Sequence, residues 1–388
     1  MNMTICFITN SSAPYGANKA LLSMIDSLSS IDKEITFVTV VIEKGFLTLE
    51  LEKRGIEIIS IHHQFNIYPN KVNLIDKILA PIKILKGWLI NKYAVEKISK
   101  RLQTKYNLNN LIVHSNTGPS TVGYNISKKL HIKHVWHLRE YQDLDFNMKF
   151  FPSKQKFINL IASEGNHPIA ITPGVKKHFG NLNKVKVIYD GVINGKIRPK
   201  RIKKYNQLLF LGRIEETKGL KELLEVIAIL IKDERFYKHN YLLKIAGDGE
   251  VRYLNELKKY CDGKNISSVV EWMGFVENPS QLIAQSKIVI VPSKFEGFGF
   301  VTAESLYQGT IVVGRKTGGT KEILQSANLN KLLFENNFQL KEKILEVIEM
   351  TETEYNKLSI MGQNDVISKY SYSKNAIEVL NHYEKILK

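Results

Sequence analysis

Leu208-Leu-Phe-Leu-Gly-Arg-Ile-Glu-Glu-Thr-Lys-Gly219 is an apolar strand that stops at a glycine turn. The residues beyond it, Leu220, Leu223, Leu224, Ile227, Leu230 and Ile231, fall on one side of a helix. A strand that feeds a helix through a short turn is the unit from which parallel sheets are built. Arg213 and Lys218 lie in the turn. An anion there meets two cations together with the free amides of a helix N-terminus. Gly212 and Gly219 keep the backbone clear of its approach. The spacing alone also fits two solvated cations around a tight turn.

A second stretch repeats the pattern with acids. Val289-Ile-Val-Pro-Ser-Lys-Phe-Glu-Gly-Phe-Gly-Phe-Val-Thr-Ala-Glu304 reads as a strand, a loop with Gly297 and Gly299, and a helix. Glu296 falls in the loop and Glu304 about one and a half turns into the helix. Carboxylates at these two places can accept hydrogen bonds from sugar hydroxyls, one from a donor sugar and one from a ribose.

The alternation extends through the whole chain. Candidate strands in the first half are Thr4 to Thr9, Ile35 to Val41, Ile56 to Ile59, Leu111 to His114, His134 to His137 and Ile169 to Thr172. In the second half they are Leu208 to Leu211, Leu243 to Ala246, Val269 to Trp272, Ile288 to Val291 and Ile311 to Val313. Single cores stop growing near ~250–300 residues, so a chain of 388 residues is expected to form two domains. The basic, turn-rich run from Asp190 to Arg201 marks the linker. The expected boundaries are 1–192 for an N-terminal Rossmann-like domain and 193–371 for a C-terminal one. The amphipathic segment 372–388 is either a completion of the first domain or a helix on its own domain.

The composition, 44% hydrophobic and 24% charged, is that of a soluble globular protein. The net charge of +17 is unevenly spread: residues 1–200 hold 28 Lys/Arg against 14 Asp/Glu, and the remainder 27 against 24. A basic first half suits nucleic acid, an anionic membrane, a phosphorylated substrate or simply a lysine-rich soluble surface. Two distant cysteines, Cys6 and Cys261, offer neither a disulfide framework nor zinc spacing, and the opening residues read as a strand and not a signal sequence. A cytoplasmic protein is expected. From Lys71 to Lys105 the chain interleaves Leu, Ile and Trp88 with lysines, and Pro81 is placed to start or kink a helix. Charges exclude a spanning helix. An interfacial helix on the inner face of the plasma membrane and a helix packed on the first domain fit equally.

Arg213 with Lys218, Glu296 with Glu304, and Thr317-Gly-Gly-Thr-Lys-Glu322, in that order at strand ends, resemble the signature of glycosyltransferase family four. The resemblance covers nearly the whole chain and is strongest from Leu208 to Leu324. It implies the GT-B fold, two Rossmann-like domains facing each other across a cleft, and a metal-independent, retaining transfer of a hexose from a nucleotide diphosphate. By this resemblance Arg213 and Lys218 neutralise the departing diphosphate in place of a metal, Glu296 meets the donor sugar and Glu304 the ribose. Gly297, Phe298 and Gly299 complete that side of the donor site. An Asp-x-Asp motif that would hold a metal is absent after any apolar strand; Asp143-Leu-Asp145 lies outside such a context. Gly247, in Ala246-Gly-Asp-Gly-Glu250, matches the family's glycine turn, and also fits a plain turn. In the first half the resemblance assigns the loop Asn10 to Asn18 to the donor phosphates through Gly16, although Tyr15 stands where relatives often carry a second glycine. It also assigns His137 to the donor sugar. A histidine satisfied by backbone groups is the other reading. Asn116, Arg139 and Glu140 are the further cleft residues.

The expected function is the building of capsule, exopolysaccharide or another cell-surface glycan, from a nucleotide-sugar donor, with a UDP-sugar favoured, onto a glycan or lipid-linked acceptor. No cofactor is expected. A sugar-nucleotide epimerase or phosphorylase-like enzyme of the same architecture shares the fold. A nucleic-acid-binding protein explains the basic first half but not the second-half motifs, and the chain lacks aromatic stacking platforms at a recognisable spacing.

Overall fold

The computed structural model describes residues 3–70, 74–195 and 197–388. The chain divides into two compact units, Met1–Gly191 with Tyr372–Lys388, and Val192–Ser371. In the first unit the strands β1 (Thr4–Ile8), β2 (Thr36–Val41), β3 (Glu57–Ser60), β4 (Leu111–Ser115), β5 (Lys133–Leu138), β6 (Ile169–Ala170) and β7 (Lys186–Val187) form one sheet, in the order β3-β2-β1-β4-β5-β6-β7. All of these pairs are parallel. A sheet of this kind is covered on both faces, which is why its central strands read as unbroken apolar runs. Strand β1 shows the consequence: Ile5 and Phe7 join one buried cluster with Leu21, Ile25 and Leu28, whereas Cys6 and Ile8 join another with Ala94, Ile98 and Leu102.

The C-terminal helix Tyr372–Leu387 packs on the helix Gly16–Ile31. Its residues Ala376, Val379, Tyr383 and Ile386 recur every three or four positions and enter the same cluster as Ile5 and Phe7. The last seventeen residues of the chain therefore complete the first unit.

In the second unit the strands β8 (Tyr205–Leu211), β9 (Leu242–Ala246), β10 (Val270–Gly274), β11 (Ser286–Val291), β12 (Ile311–Arg315) and β13 (Leu333–Phe334) stand in the order β10-β9-β8-β11-β12-β13, again all parallel. In each sheet the strand order reverses direction at one place, between β1 and β4 in the first and between β8 and β11 in the second. Helices leave such neighbours on opposite faces, so their carboxyl ends open a crevice where ligands bind.

Sequence reading missed the short strands β7 and β13 and the small antiparallel ribbon of Ile67–Pro69 with Met148–Phe150. Two or three residues show no periodicity to read. Of the expected segment 71–105, residues 71–73 lie outside the described residues. The rest is a single helix, Leu74–Lys105, that continues through Pro81. No described helix is long and apolar enough to cross a membrane.

A chain of hydrogen bonds ties the last helix to the first sheet. The Tyr383 hydroxyl lies 2.6 Å from His114 Nδ1, and His114 Nε2 lies 3.1 Å from His137 Nδ1. Arg139 Nη2, which can only donate, also contacts His137 Nδ1 at 3.2 Å. His137 Nδ1 is therefore an acceptor, His114 Nε2 carries a proton, and the Tyr383 hydroxyl must donate to His114. In Tyr383→Phe the buried His114 Nδ1 loses its donor. A destabilisation of about 1–3 kcal/mol is expected, measured by urea unfolding against the wild-type chain; an unchanged midpoint would refute the directed chain.

Burial also holds other rings neutral. His134, between Ser115 Oγ at 2.9 Å and Asn166 Oδ1 at 2.7 Å, is pushed down to about 4 by burial, against the opposing effect of the hydrogen bond it donates to Asn166 Oδ1. His63 falls to about 4 through burial and the nearby His62. Both start from an ordinary value of 6.5, so between those limits the unfolded chain binds more protons than the folded one. Stability is then fully present above pH 6.5 and drains away as the pH falls towards 4. Urea midpoints that decline steadily between pH 7 and 4.5 are expected, and a flat profile there would contradict neutral buried rings.

Candidate functional site

In the second unit the switch point brings together two of the sequence-predicted residues. The loop after β8 runs through Arg213 to Lys218, and the loop after β11 carries Glu296. Lys218 Nζ donates to Glu296 Oε1 at 2.9 Å across 78 residues of sequence, with each side chain 21% exposed. The contact has a backbone cause. Lys294 N donates to Thr217 O at 2.8 Å, and Gly219 (φ +72°) lies so near β11 that a Cβ there would sit 2.3 Å from the Pro292 carbonyl. Only glycine permits both the positive φ and the approach.

Arg213 stands on the same loop, 45% exposed, with Glu215 at 3.4 Å. The Ala246 to Glu250 turn shapes this loop. Gly212 N donates to Ala246 O at 3.0 Å and Ile214 N to Asp248 O at 2.7 Å, and a Cβ on Gly247 would fall 1.8 Å from Gly212 O. Gly247, expected to bind donor, is thus first of all the residue that lets two backbone segments cross beneath Arg213.

The Glu296 loop is buttressed by Thr317-Gly-Gly-Thr320. Gly319 N donates to Glu296 O at 2.9 Å, and Thr317 Oγ1 donates to Ser293 O at 3.1 Å. Thr302 and Thr320 hydroxyls meet at 2.8 Å. Gly299 (φ +95°) caps the helix Phe300–Tyr307, in which Glu304 is the fifth residue and half-buried. Gly297 sits in the half-buried part of the loop. The Phe298 side chain anchors the loop: the residue is 2% exposed and its ring packs edge-on against Tyr370, centroids 5.4 Å apart. Glu322 lies within the helix Gly318–Ser326, beyond its cap residue Thr317.

An open pocket of about 580 Å³ adjoins Arg213 and is lined also by Glu215, Glu216, Asp248, Glu250, Arg252 and Glu256. It includes neither Lys218 nor Glu296. Five carboxylates against two guanidinium groups make it unsuitable for a diphosphate, so the switch point, not this pocket, is the better anion site.

In the first unit the loops after β1 and β4 meet at the other switch point. Asn10 Nδ2 donates to Thr117 Oγ1 at 2.6 Å, and Asn116 N to Ile8 O at 3.0 Å. Buried Asn18, unnoticed in the sequence, folds the first loop by donating to Ser11 O at 2.9 Å and Ala13 O at 2.8 Å. Gly16 opens the following helix, with exposed Tyr15 as its cap residue. Glu140 accepts from Gln142 Nε2 at 2.6 Å.

His137 was expected to emerge at a strand end. It stands one residue before the end of β5, but it is wholly buried, and Arg139 is only 4% exposed. The reason is Asp190, which the sequence placed in the linker. Its buried carboxylate takes a short ion pair from Arg139 Nη1, while Arg139 Nε donates to Asn116 O at 3.0 Å. Burial, then the Arg139 charge, holds His137 and His114 well below the usual imidazole range. His137 is thus a neutral ring with Nε2 3.7 Å from Asp190 Oδ1. His137 Nε2, Asp190 Oδ2 and Asn116 Oδ1 are buried without a hydrogen-bond partner among the described residues. The missed members, His114, Asp190 and Tyr383, carry no local motif; they are joined only by folding.

These units can be set beside known proteins. Residues 194–365 match the family model of the glycosyl transferases group 1. Along the sequence the chain is 28% identical over 308 residues to an uncharacterized glycosyltransferase of Methanocaldococcus jannaschii, covering 77% of this chain and 81% of that one. It is 23% identical over 334 residues to the capsular polysaccharide biosynthesis glycosyltransferase CapH of Staphylococcus aureus, covering 83% and 82%. With another M. jannaschii glycosyltransferase, 29% identical over 222 residues, the match spans about half of each chain, 52% of this one and 54% of the relative. Among solved structures, a glycosyltransferase from Rickettsia africae superposes with a TM-score of 0.77 at 18% identity, covering 100% and 99% of the two chains. Anabaena HepE in complex with UDP and glucose gives 0.73 at 18%, covering 98% of each. With its two parallel-sheet α/β units, the chain has the GT-B fold.

The buttress of the Glu296 loop is testable in the group 1 region. A Cβ on Gly319 would lie 1.7 Å from Phe298 O, whereas one on Gly263 meets nothing within 4 Å. Gly319→Ala is expected to cost about 1–3 kcal/mol as an overpacking change. Gly263→Ala should be neutral or slightly stabilising, and equal melting temperatures for the two variants would refute the close crossing.

Proposed function

We propose that this chain is a retaining glycosyltransferase of family four that takes a hexose from a nucleoside diphosphate, with a UDP-sugar as donor. It passes the sugar to a glycan or lipid-linked acceptor in the assembly of a capsule or related cell-surface polysaccharide. The observation that carries the reading is the Lys218–Glu296 contact at the switch point of the second unit. It holds an ammonium and a carboxylate side by side where a strand-end ligand sits. A sugar joined to a diphosphate presents anionic oxygens next to hydroxyls, and needs both kinds of partner.

When the bond between the anomeric carbon and the phosphate oxygen breaks, negative charge grows on the diphosphate. Fixed cations at that point lower the barrier because they are already oriented. Arg213 and Lys218 take this role without a metal, Glu296 binds hydroxyls of the sugar and Glu304 those of the ribose. The acceptor oxygen attacks the face from which the diphosphate leaves, and its proton passes to the departing phosphate oxygen, so the anomeric configuration is kept. In the first unit the unpartnered Asn116 Oδ1 and His137 Nε2 are the groups that a hydroxyl-rich ligand would satisfy. Three relatives support the substrate classes: HepE, solved with UDP and glucose; CapH, named for capsule biosynthesis; and a Campylobacter jejuni transferase named for a PP-undecaprenol-linked acceptor, 36% identical over 104 residues, 27% of each chain.

A thermal-shift comparison of UDP, GDP, ADP and CMP is expected to show the largest rise with UDP. Transfer from a UDP-hexose should survive EDTA and yield a product whose anomeric coupling constant by NMR matches that of the donor. Lys218→Ala and Arg213→Ala should each lower kcat by roughly 10²–10³-fold, as does the loss of one charge-stabilising donor elsewhere. An inverted product would sink the retaining mechanism, and activity abolished by EDTA the metal-free one. Full activity in Lys218→Ala would dispose of the donor site itself.

A further inference from the structure

The helix Leu74–Lys105 has two unlike faces. On one, Asn91, Ala94, Val95, Ile98 and Leu102 are buried against the first unit. Asn91 fastens this face by accepting from Gln64 N at 2.8 Å and donating to Gln64 O at 3.0 Å. On the other face Ile82, Leu85, Leu89 and Tyr93 stand 66%, 58%, 53% and 59% exposed. Their spacing of three, four and four residues gathers them into an arc of roughly 80° at 3.6 residues per turn. Trp88, 57% exposed, lies at the margin of this arc with Lys92 Nζ 5.3 Å from its ring centre, and Lys86 lies at the opposite margin. From Leu79 to Lys100 the sequence holds five lysines and one acid, Glu96, and Glu96 is paired with Lys129.

We infer that this outward face is a docking surface for an anionic lipid bilayer. Among the described residues of the first unit, nothing covers this apolar stripe on a helix that is already anchored from behind. Its chemistry selects the occupant. Protein interfaces deplete lysine around their apolar core, whereas a helix lying in a bilayer interface carries just such a cationic rim, with Trp and Tyr at the level of the headgroups. The lysines draw the surface to phosphate headgroups, and the leucines and isoleucine enter the acyl boundary. The helix lies on the membrane and does not span it. This surface is independent of the donor-site chemistry, and its test reads no transfer activity.

Flotation of the full chain with phosphatidylcholine–phosphatidylglycerol vesicles, beside phosphatidylcholine alone, tests it. At low salt about tenfold more protein is expected to float with the anionic vesicles. The difference should fade as added salt shortens the screening length from about 10 Å at 0.1 M to about 3 Å at 1 M. Leu85→Glu with Leu89→Glu, and separately Lys86→Glu with Lys92→Glu, should each abolish flotation. All four residues are exposed, so a thermal melt matching the wild type will certify folding. Absence of flotation with anionic vesicles, equal flotation with neutral ones, or retention of binding in Leu85→Glu/Leu89→Glu would each overturn the inference. So would light scattering that finds a wild-type dimer and a monomeric Leu89→Glu, which would give the face to a second copy of the chain.

Discussion

Everything distinctive about the second unit depends on one constraint: two neighbouring parallel strands, β8 and β11, send their chains away to opposite faces of the sheet. Between their ends the backbone leaves room, and the two loops that border it are free to present unlike side chains to one another. Lys218 and Glu296 do so at 2.9 Å. As an ion pair this contact is a minor source of stability, since pairs open to solvent are worth about 0–1 kcal/mol. Its importance is positional. It holds an ammonium and a carboxylate side by side, and under the proposed function such preorganisation leaves little reordering to be done when charge develops.

The glycines explain how such a contact is held. Gly219, Gly247 and Gly319 each stand where a Cβ would collide with a backbone carbonyl of another segment. Four loops distant in sequence are thereby pressed backbone to backbone, and Arg213, Lys218 and Glu296 ride on two of them. Side chains on loops braced this way are positioned by the sheet as firmly as if they belonged to it. The acidic pocket next to Arg213, lined by five carboxylates, is a different environment.

The first unit is organised by buried polarity. Arg139 and Asp190 are taken out of water together, which is tolerable because each also meets hydrogen-bonding groups or an opposite charge. Burial, and then the Arg139 guanidinium, keep His137 and His114 neutral, and Tyr383 on the last helix closes the chain of donors. A C-terminal segment is thereby tied to the strand ends of the sheet that begins the chain. The exposed arc of the helix Leu74–Lys105 is the opposite case, a contiguous row of apolar side chains left in water.

By itself the sequence pointed to the parallel α/β plan, to two domains meeting at 192/193, and to the strand-end loops bearing Arg213, Lys218 and Glu296, with Glu304 in the helix that follows. These are local signals: apolar runs of strand length, glycine turns and helical spacing need only a few neighbouring residues to be read. The short strands β7 and β13 escaped because two residues have no period. Only the tertiary structure decided that Lys218 touches Glu296, that Phe298 is an anchor, that His137 is buried behind Asp190, and that the last helix returns to the first sheet. Each of these joins residues from tens to hundreds of positions apart, and such a pairing is fixed by which strands become neighbours and which faces they bury, information that no short window of sequence contains.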